Sequence, residues 1–175
     1  MFGKMLRRMM PKQIIDLLSK FANGIKDITS VFGRKLVVKY LVVSVGQACN
    51  FKCVACSNFA PISPKEFMRY SVEDIRRDLL ALFENIDCIK KLQIQGGEPF
   101  LYTDLVRLLE FLHEQKNKVH EVVIATNGSI VPNEEVLKCL EEYDVLVRIS
   151  DYGIVENTCE ELIDKLEARG IRFYR

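Results

Sequence analysis

Two hydrophobic rhythms alternate along most of the chain. From Ser71 onward, segments with apolar residues at i, i+3 and i+4 alternate with short runs of β-branched and aliphatic residues, so helices are expected to alternate with strands. Ile75, Leu79, Leu82, Phe83 and Ile86 form one helical stripe, and Ser71 with Asp74 makes a capping-box-like start for it. Leu92–Gln95 reads as a strand. Thr103 can cap a helix striped by Leu105, Leu108, Leu109 and Leu112. Val122–Ala125 is the next strand, and Asn133 can cap a helix carrying Val136, Leu137 and Leu140. Val145–Ser150 is a further strand. Cys159, Leu162, Ile163 and Leu166 then mark a helix stopped by Gly170, and Ile171–Tyr174 starts a last strand. Upstream, Gln13–Ala22 reads as a short amphipathic helix and Tyr40–Val45 as the first strand. Gly46 to Tyr70 has neither rhythm, and a loop that long inside a domain is usually functional or disordered.

The alternation argues for an α/β fold with a parallel sheet. A barrel and a doubly wound sheet both fit, and in both of them ligands sit at the C-terminal ends of the strands. The chemically suggestive segments fall at four consecutive strand ends: Cys49–Cys56, Gly96–Pro99, Thr126–Gly128 and Ser150–Gly153. Four adjacent ends feeding one mouth favour an incomplete parallel (β/α) barrel of about four βα units plus the start of a fifth strand. Residues 1–39 would form a basic helical leader and 40–175 the core domain, C-terminally truncated. Ending inside a strand leaves an unpaired edge, so a fragment of a longer protein is expected ahead of a truncated inactive relative or a barrel completed by a partner.

Charge and composition change this picture only at the N-terminus. The 175 residues carry a net charge of +1, which implies no polyanion, and no nucleic acid is expected as a partner. Residues 1–40 nevertheless hold nine Lys or Arg against Asp16 and Asp27. That leader could rest on an anionic membrane or a partner, although a helix packed outside the barrel is the favoured reading. There is no apolar run of transmembrane length. Pro11, Lys12 and Asp16 interrupt any signal-peptide core, so a cytoplasmic location is expected. In a reducing compartment the six cysteines suit metal binding or plain thiols better than disulfides.

Three of those cysteines are spaced Cys49-x3-Cys53-x2-Cys56. Structural zinc usually takes four protein ligands, and neither His113 nor His120 lies near in sequence. An iron–sulfur cubane with three cysteine ligands leaves one iron open to a small molecule. Zinc completed by a distant residue, or three unrelated thiols, remain the alternatives on spacing alone. Cys88 and Cys159 read as buried small hydrophobes, while Cys139 reads as partly exposed.

The run Cys-Asn-Phe-Lys-Cys-Val-Ala-Cys, residues 49–56, resembles the signature of the radical S-adenosylmethionine (SAM) superfamily. That resemblance implies a partial TIM barrel and a 4Fe–4S cluster on Cys49, Cys53 and Cys56 whose fourth iron chelates SAM. It further implies an oxidoreductase-type enzyme in which an electron from a flavodoxin- or ferredoxin-like donor drives SAM cleavage to a 5′-deoxyadenosyl radical. The radical then abstracts hydrogen from a substrate that the sequence does not name. The segment Gly96, Gly97, Glu98 and Pro99 is similar to the family motif that holds the SAM amino group. In physical terms, paired glycines admit close backbone approach, and a carboxylate can bind an ammonium. Thr126 and Asn127 look like the family's Thr-Asn-Gly segment lining the SAM pocket. Ser150 looks like its polar position near the ribose or carboxylate, with helix or loop capping by Ser150 or Asp151 as the alternative. Many members carry an aromatic residue where this chain has Ala55, so adenine contact would come from backbone or from elsewhere, Phe59 being one candidate. Residues 56–61 and 149–153 resemble members associated with polysaccharide or peptide modification. The rival reading is a non-catalytic module in which the cysteine loop holds a metal.

Strand alternation adds a face to these ends. Gln93 shares a face with Gln95, and Arg148 with Ser150. A polar set there suits a wide, wet lumen. Arg148 would either meet a carboxylate in that lumen or point to solvent at a strand edge.

Overall fold

The computed structural model describes residues 36–150 and 158–175. The expected leader helix Gln13–Ala22 and the segment from Asp151 to Gly153 lie outside the described residues. Five strands, β1 (Val37–Ser44), β2 (Cys88–Gln95), β3 (Val122–Thr126), β4 (Leu146–Ile149) and β5 (Phe173–Tyr174), form one sheet in the order β1-β2-β3-β4-β5. Every pairing is parallel. Between them run α1 (Val72–Asn85), α2 (Leu105–Glu114), α3 (Glu134–Glu142) and α4 (Thr158–Ala168). Strands met in sequence order, the first four each followed by a helix, are the half-barrel arrangement the alternation predicts.

Two strands begin earlier than their hydrophobic runs suggest. β1 starts at Val37 rather than Tyr40, and β2 at Cys88 rather than Leu92; Val37 pairs with Cys88 and Val38 with Ile89. Lys39 and Tyr40 are exposed on β1, which lies at the sheet edge, and Lys90 is exposed on β2. Their polarity hides the strand period.

The helix signals translate into specific bonds. Ser71 accepts from the Asp74 N–H at 3.1 Å, and Asn133 accepts from the Val136 N–H at 3.0 Å. Gly170 stops α4 with φ +66°. Thr103 does not cap α2. Asp104 occupies that position without a side-chain cap bond, its carboxylate drawn instead to Arg107 at 2.9 Å. At the far end of α1, Lys118 Nζ donates to the carbonyls of Phe83 and Ile86 at 2.8 and 2.7 Å, satisfying groups the helix leaves open.

The sheet has two unlike faces. Leu92, Ile94, Ile124, Val147 and Ile149 are buried and join the helix residues Leu79, Phe83, Leu108, Leu112, Leu137, Leu140, Leu162 and Leu166 in one core. The opposite face carries Tyr40, Gln93, Gln95 and Arg148. Arg148 is half-buried on β4, a strand paired on both sides, so it does not occupy an edge. Its Nε is buried without a hydrogen-bond partner. The cysteine burial is the reverse of the sequence expectation: Cys139 is buried on the Val136–Leu140 side of α3, while Cys88 and Cys159 are half-buried. Among the described residues, no helix is long and apolar enough to cross a membrane.

Candidate functional site

The ends of β1, β2 and β3 are tied together by the loops that follow them. After β1 the chain turns at Gly46, whose φ of +125° and close approach to Met68 and Arg69 leave no room for a side chain. The cysteine loop then closes on its own root. Gln47 N–H donates to the Phe67 carbonyl at 2.8 Å, Ala48 N–H to Met68 at 3.0 Å, and Tyr70 N–H to Val45 at 3.2 Å. From the other side, Gly97 N–H donates to the Gly46 carbonyl at 2.9 Å and Glu98 N–H to the Ala48 carbonyl at 2.8 Å. Cys49 therefore emerges from a backbone held on both flanks.

This packing explains the paired glycines. A Cβ on Gly96 would strike the Gly46 carbonyl, and one on Gly97 would strike the Ala48 carbonyl and lie 2.6 Å from that of Gln47. The close approach that Gly96 and Gly97 permit is thus made by the root of the cysteine loop. Pro99 is buried and opens a short turn, Pro99–Leu101, for which Glu98 serves as the cap.

Glu98 is 2% exposed, and its carboxylate points into the protein. It accepts from Phe100 N–H at 3.0 Å, from the Thr126 hydroxyl at 2.8 Å and from Asn127 N–H at 2.8 Å. Burial pushes the Glu98 carboxyl above its ordinary 4.5, against the three hydrogen bonds, which pull it down. A raised carboxyl stabilises the fold most below that ordinary value, and the contribution is lost as pH climbs through the folded value. Wild-type stability relative to Glu98→Gln, which does not titrate, should therefore decline as pH rises from 4.5. Thermal midpoints of both proteins across a pH series would show this, and a difference that rises with pH would mean that the hydrogen bonds outweigh burial.

At the end of β3, the Thr126 hydroxyl donates a hydrogen bond to Glu98 and accepts from Gly128 N–H at 3.1 Å. Asn127 Oδ1 accepts from Ser129 N–H at 2.9 Å, and Asn127 Nδ2 reaches Asn50 Oδ1 at 3.0 Å and Cys49 Sγ at 3.8 Å. Asn50 returns a bond to the Ser129 hydroxyl at 2.7 Å. Gly128 turns with φ +75° over α4, where a Cβ would lie 2.5 Å from Cys159 Sγ and 2.9 Å from Ile149. Ser150 joins this group through its backbone, donating to the Thr126 carbonyl at 2.8 Å.

Cys49, Cys53 and Cys56 line one open pocket of about 380 Å³, together with Phe51, Ala55, Asn58, Gly96, Gly97 and Asn127. All three cysteines are free and half-buried. Burial is the main cause raising the Cys49 thiol, opposed by donors from Phe51 N–H at 3.4 Å and Asn127. Among the described residues, no three His, Cys, Asp or Glu side chains converge on one point as a single ion requires. A cluster asks something different, one thiolate for each of three irons, and three unpaired thiols around an open pocket fit that demand. Phe59 has φ +57° and is 65% exposed, outside the pocket lining. The aromatic residue in the lining is Phe51.

Asn50, Phe51 and Asn58 are the site residues that sequence reasoning passed over. Asn58 donates to the Gly96 carbonyl at 2.5 Å and accepts from Gln95 at 3.2 Å. Gln95 in turn accepts from Gln93, which accepts from the Tyr40 hydroxyl. The polar strand face thus runs as a hydrogen-bonded chain into the cysteine loop. For Asn50 and Asn58 the available signal was a polar side chain one or two residues from a cysteine of the motif.

Among curated proteins, the chain is 37% identical over 102 residues to GTP 3′,8-cyclase of Aliarcobacter butzleri, covering 57% of this chain and 30% of the cyclase. It is 31% identical over 130 residues to a Methanocaldococcus jannaschii protein named as a glycyl-radical enzyme activating enzyme, covering 71% and 47%. The chain therefore spans less than half the length of these relatives. Among solved structures, anSMEcpe with bound AdoMet superposes with a TM-score of 0.63 at 19% identity, over 78% of this chain and 42% of that one. BtrN in complex with AdoMet and 2-DOIA gives 0.60 at 19% identity, over 81% and 57%. At these identities the likeness is one of fold, and it extends to the partial TIM barrel. Residues 43–151, more than half of the chain and spanning the cysteine loop and the ends of β1 through β4, match the family model of the radical SAM superfamily, and the chain belongs to that superfamily.

Proposed function

We propose that this chain forms the cofactor-binding part of a radical SAM enzyme, with Cys49, Cys53 and Cys56 holding a 4Fe–4S cluster. The observation that carries the reading is the shared pocket: three free thiols face Gly96, Gly97 and Asn127 at the C-terminal ends of neighbouring strands. When bound, the cluster and SAM supply reductive carbon–sulfur cleavage and a 5′-deoxyadenosyl radical for hydrogen abstraction. The protein's task is to hold and orient them and to limit side reactions. Gly96 and Gly97 keep the cysteine loop seated. Glu98 and Pro99, in the turn after β2, and Thr126, Asn127 and Ser150, at the ends of β3 and β4, are the further residues that would hold SAM. The electron would come from a flavodoxin- or ferredoxin-like donor. A reducing, cytoplasmic setting suits three free thiols and an oxygen-sensitive cluster.

Anaerobic reconstitution of the chain with iron and sulfide tests the reading. About four irons per chain are expected, with 5′-deoxyadenosine and methionine released on addition of reductant and SAM. Cys53→Ala should lose the iron and the products together. Folded protein that takes up stoichiometric zinc and no iron would overturn the proposal in favour of a metal-holding interaction module.

A further inference from the structure

Asn127 reaches Cys49 in a way that its place beside a SAM pocket does not require. Its backbone N–H is held by Glu98 Oε2 at 2.8 Å. Its Oδ1 must face the Ser129 N–H, which donates at 2.9 Å, so the orientation of the amide is fixed. The Nδ2 group is thereby turned toward the cysteine loop, 3.0 Å from Asn50 Oδ1 and 3.8 Å from Cys49 Sγ. Among the described residues, Cys49 is the one cysteine of the three whose sulfur receives donors, from Asn127 and from Phe51 N–H.

A donor at a ligating sulfur does more than hold it. One-electron reduction makes and breaks no bond at the cluster, but it lowers the net charge by one and places part of that charge on the thiolates. An N–H aimed at the sulfur stabilises the reduced form more than the oxidised form and so raises the reduction potential. We propose that Asn127 sets the cluster's reduction potential through its Nδ2–H bond to Cys49, independently of any contact with SAM. Glu98 is then a positioning residue that fixes Asn127. This inference rests on the reading of Cys49 as a cluster ligand.

The test is a reductive titration of the full chain, reconstituted anaerobically and followed by electron paramagnetic resonance. Wild type, Asn127→Asp and Asn127→Ala would be compared at matched iron and sulfide content, each with and without SAM. Asn127→Asp keeps the Oδ1 acceptor for Ser129 while replacing the donor with a negative charge, so the turn is retained. Without SAM, the midpoint should fall in Asn127→Ala by an amount equal to a three- to tenfold change in the reduced-to-oxidised ratio. At 59 mV per decade for one electron, the upper end is about 59 mV. Asn127→Asp should fall further. Equal midpoints in the absence of SAM, or a shift that appears only with SAM present, would overturn the proposal. A wild-type chain that takes up no cluster would instead remove the reading beneath it.

Discussion

Gly97→Ala is expected to lose the iron centre while keeping the helix-covered side of the sheet. The added methyl would meet the Ala48 carbonyl, with the Ala48 carbonyl carbon at 2.5 Å and the Gln47 carbonyl oxygen at 2.6 Å. These are backbone atoms, already pinned from behind by the bonds to Phe67 and Met68, and cannot swing aside as the tip of a side chain would. Relief requires the turn after β2 to part from the cysteine loop, breaking the Gly97–Gly46 and Glu98–Ala48 bonds. Overpacking and two lost hydrogen bonds together cost roughly 3–5 kcal/mol. Iron and sulfide per chain after anaerobic reconstitution should fall to background, and the thermal midpoint should drop by roughly 6–20 °C. A variant that retains a full complement of iron would show that the clasp is dispensable.

Glu98→Ala is the second large effect. Among the described residues, its carboxylate is the one side chain that bonds both the Phe100 turn and the β3 end, and truncation orphans the buried Thr126 hydroxyl and the part-buried N–H groups of Phe100 and Asn127. Some of that cost is offset because a desolvated carboxylate is removed as well. A net loss of about 2–4 kcal/mol is expected, read by denaturant unfolding. Glu98→Gln fills the same volume and keeps one acceptor. The lost bond and the relieved desolvation oppose each other, so it should stay within about 1 kcal/mol of wild type. If the alanine variant unfolds at the same denaturant concentration as wild type, the carboxylate is not the tie between these strand ends.

The outcome separates what one segment can announce from what needs two. Ser71, Asn133 and Gly170 signal their helix ends because capping is a local matter of a few residues. The stripe Leu105–Leu112 signals its core face for the same reason. The strand ends carrying Cys49–Cys56, Gly96–Pro99 and Thr126–Asn127 were legible too, because strand order and motif order agree. The direction of a side chain at those ends was not. Nothing in the tetrapeptide from Gly96 to Pro99 says that its glycines admit a neighbouring loop, or that Glu98 turns inward to Thr126 and Asn127. Those facts depend on the approach of loops distant in sequence. Cys88 and Cys139 were misjudged on similar grounds, since helix and strand neighbours reveal periodicity but not how deep each position lies. Asn58 escaped notice because its partners, Gly96 and Gln95, belong to another βα unit.

The sheet's simple order has a consequence for how the molecule assembles. Each strand pairs with the one before it, but the spans differ. β2, β3 and β4 are linked by single helix-length connections, whereas joining Val37 to Cys88 must also close the cysteine loop. The entropy of closing a chain grows with its length, and long-range pairings form later than short ones. β1 is therefore the strand expected to dock last, onto a β2–β3–β4 sheet already formed, and it brings all three thiols with it. Until that docking the cysteines belong to an open segment that oxygen or a stray metal can reach. With these cysteines as the proposed cluster ligands, the final folding step and the maturation of the site would coincide, and the window in which the nascent chain is most exposed to damage would be the one in which iron and sulfide arrive.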